Sequence, residues 1–145
     1  MSEENKSGFN MAADMLSRLS ISERERILGI IAEKEPLLVE KLRNSLYSFE
    51  DLIYLTPKML VELLREIDLG KLGLALRGAS KELRDFILKN VSSSIAEEIN
   101  EVLEGPLRPV SEVQQSMSKI MEVVIKKIEK GELVLNKGSS DQIID

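Results

Sequence analysis

Apolar residues in this chain recur at three- and four-residue intervals almost from end to end, and stretches that alternate residue by residue are nearly absent. At about 100° per residue, that spacing collects each apolar set on one side of a helix. Met11, Met15, Leu16 and Leu19 form the first such face. The segment 21–35 follows, opening with Ser22 and Glu25 in capping-box spacing. Leu38, Leu42, Leu46 and Phe49 make a third face behind Pro36, which suits a first helical turn because its missing N–H has no helical partner there. Thr56 and Pro57 repeat the device ahead of Leu60, Leu63, Leu64 and Ile67.

Two short helices are expected to meet at Gly78, which can end the first in a left-handed conformation while Ser80 caps the second. Ser92, Ser93 and Ser94 offer a choice of caps for the next helix, and Ser94 with Glu97 has capping-box spacing. That helix gathers Ile95, Ala96, Ile99, Val102 and Leu103 on one side and Glu97, Glu98, Glu101 and Glu104 on the other. Gly105 and Pro106 stop it, and Arg108 follows. The longest stripe, Val113, Met117, Ile120, Met121, Val124 and Ile128, runs to Gly131, with 132–135 as a short extended segment. The expectation is an all-α chain of eight or nine helices: a flexible N-terminus over 1–7, an armadillo-like helical module over 8–47, a compact C-terminal helical bundle over 48–135 and a flexible tail over 136–145.

Composition narrows the chemistry. The 145 residues can bury a real core, and 20 basic against 25 acidic side chains give a net charge of −5 with no basic stripe, which argues against nucleic acid as a partner. No cysteine means no disulfide and no thiolate; no histidine removes the commonest general base and metal ligand. Without a glycine-rich phosphate loop or a nucleophile motif either, the chain reads as non-enzymatic, with no cofactor, metal or small-molecule substrate expected. A polar, acidic start and the lack of any apolar run near ~20 residues lead to a cytoplasmic expectation.

Four signals in order, Leu46-Tyr47-Ser48-Phe49, "LLREID" at 63–68, "LALRGAS" at 74–80 and "GPLR" at 105–108, together with "KNVS" and "GELVL", carry a resemblance. Over residues 8–135 the chain resembles the C-terminal half of the flagellar motor switch family, FliG. The resemblance implies that Leu46, Tyr47 and Phe49 match a Met-Phe-x-Phe hinge between two helical parts, and that Ser7 and Gly8 fall at a glycine linker. It also implies that Arg77, Glu101 and Arg108, with Glu97 and Glu98 extending the acidic ridge, contact the cytoplasmic loop of the flagellar stator. Other switch (C-ring) proteins, a full-length switch protein among them, are the second class of partner implied, at the periphery of the inner-membrane basal body. Lacking room for the family's N-terminal and middle domains, the chain is expected to be a separate C-terminal unit. Two positions depart from the family pattern, Ser94 in place of an arginine and Val102 in place of an acid, and the connection 103–105 is two residues short.

Plainer readings stand beside these. An acidic face opposite an apolar stripe is the ordinary look of a surface helix, Arg77 beside Gly78 suits a helix C-terminal cation, and Leu46, Tyr47 and Phe49 suit core packing. Two functional alternatives remain open at this point. One is a rotor-docking paralogue that modulates switching without transmitting torque, favoured by Ser94 and Val102. The other is a cytosolic magnesium-sensing helical domain using clustered carboxylates.

Overall fold

The computed structural model describes residues 2–135, all helices and connections, with no strand among them. In order they are α1 (Ser2–Ser17), α2 (Ile21–Ala32), α3 (Pro36–Leu46), a 3-10 helix (Phe49–Tyr54), α4 (Pro57–Leu64), α5 (Leu69–Leu76), α6 (Lys81–Lys89), α7 (Ser93–Leu103) and α8 (Val110–Glu129). The chain divides into two compact units with the break between Ser48 and Phe49; the sequence alone puts it after residue 47. The tail expected over 136–145 lies outside the described residues.

In the first unit, α1 and α2 both pack on α3. Helix α1 starts at Ser2, which corrects the expected lead-in over 1–7 and places Gly8 inside the helix instead of in a linker. The reason is local: no proline interrupts the segment, and one glycine costs a helix only about 1 kcal/mol. Leu16, Leu28, Val39, Leu42 and Leu46 are buried, whereas Met11 and Met15 of the expected first face are exposed. The capping box before α2 is formed by Ser20 and Glu23, two residues ahead of the pair that the sequence favours. Glu25 is thereby left for another role.

The second unit is built around α5, which lies against α7 and α8. Its sequence "LGKLGLAL" places Leu72, Gly73, Leu74, Ala75 and Leu76 all in the interior, and a helix apolar on all sides is stable only when surrounded. Asp68 caps it, accepting from the Gly70 and Lys71 N–H groups at 2.7 and 3.4 Å. A Cβ added at Gly73 would sit 2.7 Å from the Ile99 carbonyl oxygen and 2.8 Å from Val102 Cβ, so the α5 and α7 backbones touch there. Thr56 and Pro57 start α4 and Ser80 starts α6 as expected. The Ser80 N–H and Oγ–H both donate to the Glu50 carboxylate, at 2.8 and 2.6 Å, adding a negative group at the positive end of α6.

Gly78 is not left-handed; the one positive φ among the described residues is Gly131, at 74°, where α8 ends. What Gly78 supplies is room, since a Cβ would meet Met117 Sδ at 2.8 Å and Val113 Cγ1 at 3.1 Å. Beyond α8, Leu133 and Leu135 are buried, and Lys127 pairs with Glu66 and, at 3.5 Å, with Glu132.

Candidate functional site: the acidic face of α7

Ser92 caps α7, accepting from the Ile95 N–H at 3.2 Å, so the helix starts earlier than a Ser94 cap would allow. From that start the helical turn carries Ile99 into the core with no exposed surface and half-buries Ile95, Ala96, Val102 and Leu103. Val102 fills the space beside Gly73, which is why an apolar residue stands there. The opposite side presents Glu97, Glu98, Glu101 and Glu104, with Ser94 and Asn100, around one shallow concavity. None of these four carboxylates has a hydrogen-bond or ion-pair partner among the described residues.

The arginines are placed differently. Arg77 ends α5 and aims its guanidinium at the C-terminus of α7: Nε and Nη2 donate to the Val102 carbonyl at 3.2 and 2.6 Å, and Nη1 to the Pro106 carbonyl at 2.7 Å. Helix C-termini leave carbonyls unpaired and carry partial negative charge, so a cation there is favourable on both counts. No basic residue lies in the last turn of α7 itself. Arg108 donates from Nε to Glu112 Oε2 at 2.7 Å, one turn into α8, and both side chains are half-exposed. Of the five residues singled out from sequence, α7 thus groups Glu97, Glu98 and Glu101, Arg108 stands on the segment that follows, and Arg77 holds that segment's root.

Residues 106–111 are all exposed, and within them Leu107 is 98% and Val110 71% accessible. Sequence reasoning passed over these two, although an apolar residue between Pro106 and Pro109 and another in the first turn after Pro109 are a legible signal.

The three hinge candidates are buried: Leu46 closes α3, Tyr47 is extended at φ −117° and ψ 125°, and Phe49 opens the 3-10 helix. Tyr47 is fastened within the first unit. Its hydroxyl donates to Glu25 Oε2 at 2.7 Å, Arg43 donates twice to Glu25 Oε1, and the Arg24 guanidinium lies 5.5 Å from the Tyr47 ring centroid. Burial, with the hydrogen bond to Glu25 behind it, pushes the Tyr47 hydroxyl up to about 12. Arg24 also donates to the carbonyls of Leu16, Ser17 and Leu19, closing the end of α1 as Arg77 closes that of α7.

Among the described residues no helix is long and apolar enough to cross a membrane. The sequence model of the FliG C-terminal domain matches residues 30–135. The flagellar motor switch protein FliG of Thermotoga maritima is 32% identical over 139 residues, 94% of this chain and 41% of that protein; FliG of Aquifex aeolicus is 31% identical over 87% of this chain and 39% of its own length. The solved structure of full-length Aquifex aeolicus FliG superposes with a TM-score of 0.70 at 32% identity, covering 86% of this chain and 39% of that one. A FliG fragment from H. pylori gives 0.62 at 28% identity, covering 84% and 54%. This chain therefore spans about two fifths of the length of the FliG proteins it matches, and it belongs to the FliG C-terminal domain family.

Proposed function

We propose that this chain is a non-enzymatic interaction module of the flagellar rotor that presents the acidic face of α7 to the basic cytoplasmic loop of the stator. One observation carries the reading: four exposed carboxylates share a helix face with no cation of their own. That arrangement is locally unfavourable. Glu97 and Glu101, Glu98 and Glu101, and Glu101 and Glu104 are like-charged neighbours on the helix surface, each pair costing about 0.2–0.5 kcal/mol, and the last two acids sit at the negative end of the dipole. A basic partner relieves both costs at once.

Opposed charges in a solvated contact contribute about 0.2–1 kcal/mol per pair, which steers and selects without holding tightly. A contact that must form and break as a rotor passes needs that weakness. Arg108 belongs to the rim of this surface, and Arg77 acts through α7 by holding its C-terminus in place. Exposed Met11, Met15, Ile30 and Leu37 support an armadillo-like role for the first unit, stacking on other switch proteins. Family membership favours the rotor over the divalent-cation sensor; among the described residues no group of three or more acidic side chains could hold a metal ion.

The test is co-purification of the whole chain with full-length FliG and with the stator, wild type beside a Glu97→Lys, Glu98→Lys, Glu101→Lys variant. Wild type is expected to retain the stator and the variant to lose it, with FliG retained by both. Retention of FliG alone, equally by both proteins, overturns the stator contact in favour of the rotor-docking paralogue.

A further inference from the structure

Leu107 is the most exposed large apolar side chain described, yet the backbone under it is held from both sides. Pro106 and Pro109 fix two of the neighbouring φ angles. The Pro106 carbonyl accepts from Arg77 at 2.7 Å, and Arg108 is tied to Glu112 at 2.7 Å. Surface leucines are common singly, but an ordered, fully solvated leucine joined by Val110 in the same short segment is a held-out apolar contact.

Its position says what kind of partner covers it. Leu107 follows Glu104 by three residues, a reach of at most about 11 Å, so the apolar tip adjoins the end of the unpaired acidic face. A surface meeting both is cationic next to an apolar slot. A second copy of this chain seated face to face would bring its own four carboxylates against these, which like-charge repulsion disfavours.

We propose that Leu107, with Val110 beside it, is an apolar prong that enters an apolar slot on the basic protein segment bound by Glu97, Glu98, Glu101 and Glu104, so that carboxylates steer the partner and the prong sets its register. This rests on the reading of α7 as a binding face and adds the residues that discriminate among basic partners. Because the segment is already ordered, little conformational freedom is lost when the prong is buried.

The experiment measures binding of the whole chain to two probes, a synthetic peptide of the stator's basic cytoplasmic loop and poly-lysine of matched charge. Three proteins are compared: wild type, Leu107→Ser and the triple Glu→Lys variant. Leu107→Ser is expected to weaken the loop peptide on the order of tenfold, with the same ratio in low and high salt, and to leave poly-lysine binding unchanged. The triple variant is expected to lose both probes. Leu107→Ser binding the loop peptide like wild type, while the triple variant loses it, overturns the prong and leaves the acidic face standing. Binding that survives in the triple variant overturns the acidic-face reading itself. Sedimentation of the free chain guards the choice of partner, for a dimer dissociated by Leu107→Ser would show the prong to be a self-contact and overturn the proposal.

Discussion

The Tyr47 hydroxyl donates a 2.7 Å hydrogen bond to one oxygen of Glu25 while Arg43 holds the other, joining the last residue of the α3 exit to the middle of α2. A phenylalanine at position 47 would fill the same space without that bond. Tyr47→Phe is expected to lower stability by about 1 kcal/mol in a denaturant titration, since Arg43 still satisfies part of the carboxylate. Glu25→Ala, which also removes the acceptor of two hydrogen bonds from the buried Arg43 guanidinium, is expected to cost more.

Alkali tests the same contact. Ionising Tyr47 would bury a charge and give up the hydrogen bond to Glu25, so its folded value of about 12 lies above the ordinary 10. The folded state binds the extra proton, and the stability it contributes is complete below pH 10 and lost as pH rises from 10 through 12. Subtracting the tyrosinate absorbance of Tyr47→Phe from that of wild type isolates this residue; a difference midpoint near 10 would contradict the buried hydrogen bond.

Arg77→Ala removes three donors from two carbonyls at the end of α7 and is expected to cost about 1–3 kcal/mol, with reduced amide protection over residues 102–106. Arg108→Ala breaks only a half-exposed pair one turn apart and is expected to stay within about 0.5 kcal/mol of wild type. Equal melting temperatures for the two variants would refute the distinction between a positioning arginine and a rim arginine.

Two glycine-to-alanine changes in helices are expected to have opposite signs. Gly29 of α2 has nothing within 4 Å of an added Cβ, so Gly29→Ala is expected to stabilise by about 0.4–1 kcal/mol. Gly73→Ala puts a methyl 2.7 Å from the Ile99 carbonyl and is expected to destabilise by about 1–3 kcal/mol, because the obstacle is backbone and cannot rotate away. Thermal unfolding of the pair decides it.

Periodicity made the helices and most of their buried faces legible, because a 3.6-residue repeat is set by local geometry. Exact starts were less so. Ser20 with Glu23 and Ser22 with Glu25 fit one capping rule equally well, and only the pull of Arg43 and Tyr47 on Glu25 separates them, a relation across 18 and 22 residues. Gly78 illustrates the same limit: a helix-ending glycine suggests left-handed backbone, whereas its need for space comes from Met117 and Val113 in a distant helix. At the candidate site the acidic ridge could be read from spacing alone. The use of Arg77 could not, since its carbonyl partners lie 25 and 29 residues away and carry no side-chain signature.

Where α5 and α7 meet at Gly73, the α5 backbone lies directly against the Ile99 carbonyl of α7, with the Val102 side chain beside the contact. Side chains yield by hopping rotamers; hydrogen-bonded backbone does not. Any displacement of α7 at this crossing must therefore move α5, the helix at the centre of the second unit, with little room for side-chain rearrangement to absorb it.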